Sequence, residues 1–193
     1  MIISKQYLDH NYSRRTGGVK IDWIVIHYTG ISTAKGRAEG VARSLQSRNA
    51  TTSTHYLVGD DGIIQLVREK QKSWHIGAQK PENKCAACNN NSIGVDLVER
   101  KLDPKSSCVY DTDWFFTQYV FDLAAQLVAD IAVRNNIHPD HIVRHYDVTG
   151  KLCPRPFVGS LVSRRRWISD ITGTCGDDEW IRFKDLVVKY MQR

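Results

Sequence analysis

The sequence predicts an α/β protein built on a mixed central β-sheet flanked by helices. Three observations lead there. Ile21 to Ile26 is a compact run rich in β-branched residues, suited to a buried central strand. Thr54 to Val58 and Ile63 to Val67 flank Gly59-Asp60-Asp61-Gly62, where Asp and Gly accept the positive φ of a tight hairpin turn. Phe116, Val120, Leu123, Ala124, Leu127 and Ile131 recur at three- and four-residue spacing, which makes one apolar helical stripe for packing on a sheet.

The remaining elements follow in order. After the first strand, Thr29-Gly30-Ile31-Ser32-Thr33 reads as a turn and Arg37 to Gln46 has helical composition. Beyond the hairpin, the polar stretch Lys80 to Asn91 is expected as a surface loop, and Ile93 to Val98 as another strand. Lys101 to Thr112 is a second loop. Asp113 is suited to cap the long helix, which should run to about Arg134. Ile142 to His145 reads as a short strand and Glu179 to Met191 as a closing amphipathic helix. No internal repeat or low-complexity segment interrupts the pattern, so residues 1–193 are expected as a single domain.

Composition narrows the partners. Hydrophobic residues at 41% and charged residues at 25% are ordinary globular values, which argues against disorder. A formal charge of +6 favours an anionic partner. The densest basic run, Arg164-Arg165-Arg166 beside Trp167, is read as a solvated helix end, too small to make a nucleic-acid site. No apolar run approaches the ~20 residues that cross a bilayer. Met1 to Tyr7 lacks a basic segment followed by a long apolar one, so no signal peptide is read.

Five cysteines are present: Cys85, Cys88, Cys108, Cys153 and Cys175. Cys85-Ala86-Ala87-Cys88 has the spacing of a zinc knuckle, but Cys108 and Cys175 form no second close pair, so reduced thiols are the expectation. Cys153 stands apart. It lies eight positions after His145, room for a turn back to a shared ion, and His27 ends the first apolar strand. Two imidazoles and a thiol fill three positions of a tetrahedral zinc and leave the fourth open.

Five segments in order carry a resemblance: Trp23-Ile24-Val25-Ile26-His27-Tyr28-Thr29; Ser53-Thr54-His55-Tyr56-Leu57-Val58 with Asp61-Gly62; Trp74-His75-Ile76-Gly77; Ser92-Ile93-Gly94-Val95-Asp96; and Arg144-His145-Tyr146-Asp147 running to Cys153-Pro154. Together they resemble the zinc-dependent N-acetylmuramoyl-L-alanine amidases, which share a fold with peptidoglycan-recognition proteins and include phage endolysin amidases. The resemblance implies a peptidoglycan-recognition-protein-like sheet and one Zn2+ held by His27, His145 and Cys153. It also implies a peptidoglycan or muropeptide substrate cut between N-acetylmuramic acid and L-Ala.

The same resemblance implies roles for other residues. Lys151 takes the place of a basic residue that stabilises the developing oxyanion; in an extended segment it would point to the same side as Cys153. Asp96 stands where relatives carry a Glu as base and is one methylene shorter, with Glu99 as the fallback carboxylate. Thr54 occupies the position of a Tyr seen in some phage amidases and cannot replace a phenol. Thr54, Tyr28 and His75 are expected to line the substrate site, His55 to be structural, and Asp147 to orient a ligand histidine.

Several roles remain open. With no signal peptide and no separate wall-binding domain visible, a phage or prophage endolysin or an autolysin is expected, monomeric and cytoplasmic until released onto the wall. The rivals are a cytoplasmic muropeptide-recycling amidase, a non-catalytic peptidoglycan-binding module, and an inhibitory partner of another protein.

Overall fold

A computed structural model describes residues 1–31, 36–77, 83–159 and 176–193. The first strands are β1 (Ile3–Lys5), β2 (Tyr12–Arg14) and β3 (Trp23–Tyr28), followed by helix α1 (Ala38–Leu45). The hairpin is β4 (Tyr56–Gly59) and β5 (Gly62–Gln65); then come β6 (Gln71–Ser73), β7 (Ser92–Leu97), β8 (Arg100–Lys101) and β9 (Trp114–Phe115). Helix α2 (Gln118–Asn135), β10 (Ile142–Arg144), the short α3 (His145–Thr149) and α4 (Asp177–Met191) complete the described chain.

Six strands make one mixed sheet in the order β1-β5-β4-β7-β3-β10. The β4–β5 hairpin is antiparallel, and every other neighbouring pair in this sheet is parallel. Strand side chains alternate between faces, and the two faces differ sharply. One carries Ile24, Ile26, Tyr56, Val58, Ile93, Val95 and Leu97, packed under α2 and α4 through Phe121, Leu127, Phe183 and Val187. Each large side chain buried there contributes roughly 1.5–3 kcal/mol. The other face carries Val25, His27, Gly94 and Asp96, and beside them Leu57 under α1. Helices weld one face shut, and the chemistry sits on the other.

Several boundaries differ from expectation: the first strand is Trp23–Tyr28 and not Ile21 to Ile26, and the hairpin strands are Tyr56–Gly59 and Gly62–Gln65 and not Thr54 to Val58 and Ile63 to Val67. The long helix starts at Gln118, because Thr117 accepts from the Val120 amide and caps it. Trp114 and Phe115 instead pair antiparallel with Lys101 and Arg100, and Asp113 serves the buried Lys101 ammonium at 2.8 Å. Likewise β10 ends at Arg144 and His145 opens α3, because Asp147 accepts from the Arg144 amide and its guanidinium. Strands β1, β2 and β6 were not foreseen. The Arg164-Arg165-Arg166-Trp167 run and Cys175 lie outside the described residues. No helix among the described residues is long and apolar enough to cross a membrane.

Candidate metal centre

Three elements deliver three donors. His27 is the penultimate residue of β3, His145 the first of α3, and Cys153 follows the turn after α3. All three are buried, and their ligand atoms lie within 4.8 Å of one another. A hydrogen bond from the Tyr146 amide to the Cys153 carbonyl, 2.8 Å, folds the loop back so that the thiol faces His27 and His145. Cys153 Sγ lies 3.7 Å from His27 Nδ1. That matches the ~3.6 Å tetrahedral edge expected for zinc bonds of ~2.1 Å to nitrogen and ~2.3 Å to sulfur.

Protonation states also suit a metal. Burial, then the neighbouring His145 and His75, hold His27 well below the ordinary histidine range. Burial lowers His145 to about 4, with the Lys151 charge acting in the same direction. Both imidazoles are therefore neutral at pH 7. Burial pushes the Cys153 thiol up to about 12, partly offset by the Tyr28 backbone. His145 Nδ1 is buried without a hydrogen-bond partner, and the nearby Ile76 backbone acts against burial to raise the ring's pKa. A buried imidazole nitrogen without a partner, beside a second imidazole and a thiol, is a donor set able to hold a metal ion.

Around the donors lie the other expected residues. Asp96 pairs with His27 across β7 and β3, so both side chains leave the same face. Its Oδ1 is buried and unpartnered, and burial raises its pKa to about 7 against the opposing Thr54 hydroxyl and Lys151 charge. Glu99 is committed elsewhere: it is fully buried and accepts from the Thr29 and Ile31 amides and the Thr29 hydroxyl. Thr54 is 1% exposed, and its hydroxyl donates to the Tyr56 carbonyl at 3.4 Å. Tyr28 packs edge-on against Trp114. Asp147 does not orient a histidine. It is taken by Arg144.

A groove of about 890 Å³ opens over this face, lined by His145, Lys151, His75, Trp74, Lys72 and Asn89 among others. Lys151 is exposed within it. The segment is not extended as expected, since the Cys153 amide donates to the Lys151 carbonyl at 2.7 Å in a tight turn. Lys151 nonetheless bears electrostatically on His27, His145, Asp96 and Cys153. Cys85, Cys88 and Cys108 are free thiols and join no metal cluster among the described residues.

A family model described as N-acetylmuramoyl-L-alanine amidase matches residues 17–156. The chain belongs to that amidase family. It is 28% identical over 187 residues to the N-acetylmuramoyl-L-alanine amidase CwlL of Bacillus licheniformis, covering 89% of this chain and 48% of that one. It is 28% identical over 150 residues to AmiD of Escherichia coli K12, covering 73% of this chain and 50% of that one. The chain thus spans about half the length of these curated relatives. Among solved structures, the catalytic domain of XlyA superposes with a TM-score of 0.63 at 22% identity, over 97% of this chain and 99% of that one. AmiD bound to anhydro-N-acetylmuramic acid-L-Ala-D-gamma-Glu-L-Lys superposes with a TM-score of 0.52 at 29% identity, over 73% of this chain and 54% of that one. The peptidoglycan-recognition-like α/β architecture is the one that the amidase family uses.

In this amidase-family chain, His55 is a structural residue. Its Nδ1 accepts from the Gly94 amide at 3.0 Å and its Nε2 donates to the Gln71 carbonyl at 3.0 Å. Burial depresses it from 6.5 to about 3. A depressed folded pKa contributes stability that is present above 6.5 and lost as the pH falls toward 3. Asp96 and Glu99, both raised, act with the opposite sign, so a variant is needed to isolate the histidine. Urea unfolding of the metal-free protein at pH 7 and pH 5 should show His55→Gln losing ~2 kcal/mol less than the parent over that interval, at ~1.4 kcal/mol per pH unit. Parallel losses would mean that His55 is charged in the fold.

Proposed function

We propose that this chain is the catalytic part of a zinc-dependent amidase that hydrolyses the amide between N-acetylmuramic acid and L-Ala of peptidoglycan. One observation carries the reading: two neutral buried imidazoles and a thiol converge under a groove, beside a carboxyl poised near pH 7. When bound, zinc polarises the scissile carbonyl and makes a water nucleophilic near neutral pH. The chain's own groups supply the rest. Asp96, its pKa raised by burial to about 7, takes a proton from the attacking water and returns one to the leaving amine of L-Ala. Lys151, exposed at the groove wall, carries a positive charge to the developing oxyanion. Trp74 and His75 line the wall along which the muramoyl-peptide lies.

A peptidoglycan-binding module without catalysis has no use for three metal donors and a buried carboxyl near neutrality. We favour an endolysin or autolysin that meets intact wall, consistent with the net charge of +6 against an anionic polymer. End-group analysis of digested wall tests the chemistry: new amino-terminal L-Ala without new reducing sugar ends is expected, and the converse contradicts it. Lysis of intact wall, compared with cleavage of soluble muropeptide, separates a lytic from a recycling role.

Lys151→Ala should lower kcat by roughly 10²–10³-fold while zinc content and affinity for wall fragments stay nearly unchanged. Lys151→Arg should recover only part, since a planar guanidinium does not reproduce a compact ammonium. Near-normal turnover in the alanine variant would make Lys151 an ordinary surface lysine.

A further inference from the structure

We propose that His75 is a positioning residue for the metal centre: its Nδ1 accepts the Nε2–H of His27 and so fixes His27 as an Nδ1 ligand. The inference rests on the zinc reading above and goes beyond the lining role expected for this histidine. His27 Nε2 lies 2.8 Å from His75 Nδ1, and His75 Nε2 lies 3.1 Å from Ser92 Oγ. Ser92 in turn donates to the Cys88 carbonyl at 2.6 Å. Only one direction satisfies every atom. The Ser92 hydroxyl is spent on Cys88, so its oxygen accepts from His75 Nε2–H; His75 Nδ1 is then an acceptor, and His27 must carry its proton on Nε2. That leaves His27 Nδ1, the nitrogen facing Cys153 Sγ, with its lone pair free for the ion.

The surroundings are built to hold this chain of bonds. The Asn89 side-chain oxygen accepts from both the His75 and Ile76 amides, at 3.1 and 2.9 Å. Asn89 thus fixes the backbone from which the His75 ring reaches His27. Gly94 makes room. A Cβ at that position would lie 2.7 Å from His75 Cγ and 2.8 Å from its Nδ1. Gly94 has no positive φ, so the constraint there is space for the imidazole and not backbone strain.

The partner's chemistry has a consequence. A ligand histidine often donates its second N–H to a carboxylate, which adds negative charge next to the ion. A neutral imidazole ending on a backbone carbonyl orients His27 without that charge. The ion with one thiolate then keeps a net positive charge to act on water and carbonyl.

Zinc affinity, measured by competition with a chromophoric chelator, reads this role without reference to catalysis. His75→Ala should weaken zinc about 10–100-fold, whereas His75→Gln, whose amide oxygen can accept from His27, should retain most of the affinity. Gly94→Ala should weaken zinc as His75→Ala does by displacing the ring. Combining the two should add little, since the methyl then meets empty space. Thermal unfolding of each metal-free variant checks that the fold persists; should Gly94→Ala not fold, the His75 pair decides the matter. Unchanged zinc affinity in His75→Ala, with only KM raised, would overturn the proposal and leave His75 a groove residue. Failure of the parent chain to bind zinc at all would overturn the metal reading beneath it.

Discussion

Cys153→Ser is expected to lower zinc affinity by more than about 100-fold, beyond the 10–100-fold typical of an outer-shell change, and to abolish hydrolysis with it. A thiolate brings both softness and a full negative charge, and a buried serine hydroxyl brings neither. The fold should persist, because what folds the loop back is the Cys153 carbonyl accepting from Tyr146, a backbone bond. Proton release provides an independent check. His27 and His145 are already neutral at pH 7–8, and the Cys153 thiol, raised to about 12, is still protonated. Zinc binding should therefore release at least one proton per chain, the first from Cys153, with a further fraction from Asp96 and the metal-bound water. Calorimetry in buffers of different ionisation enthalpy measures this directly. Wild-type zinc affinity in Cys153→Ser, or no proton release by the parent chain, would remove Cys153 from the centre.

Asp96→Asn should reduce kcat by about 10²–10⁴-fold with zinc content unchanged. The carboxyl pairs with His27 across two strands, has one oxygen buried and unpartnered, and is raised by burial to about 7. A base must be ionised, so the rate should rise with pH through an acid limb at or below about 7; bound zinc lowers that limb, and the variant should lack it. Glu99→Gln distinguishes the two carboxyls. Glu99 accepts two backbone amides and a hydroxyl at the end of β3, so its loss should cost stability on the order of 1–3 kcal/mol and leave the acid limb in place. If Glu99→Gln removes the limb and Asp96→Asn does not, the roles are reversed.

Much of this was legible in the residues. The central strand, read at Ile21 to Ile26 and found at Trp23–Tyr28, the hairpin around Asp60-Asp61 and the apolar stripe of α2 each follow from a local period with a turn or cap. What escaped was set by distant partners. Asp113 is as good a cap as Thr117 by type, but it is claimed by Lys101, a residue fully engaged twelve positions earlier. Three-residue strands such as β2 carry no period long enough to read, and β2 exists because β6 pairs with it. At the centre, the donors stood out as residue types. Their supports did not: the His75 ring against His27 is invisible in a sequence, and Gly94 shows its purpose only when that ring is seen above it. The sequence ranks Asp96 above Glu99, and the structure adds the reason Glu99 is committed elsewhere, its bonds to the Thr29 turn.

Metal analysis coupled to end-group release tests the central claim most directly. The purified protein should carry about one zinc per chain, release amino-terminal L-Ala from wall, lose that activity on chelation and regain it with added zinc. Undiminished L-Ala release from a preparation shown to be metal-free would contradict the account.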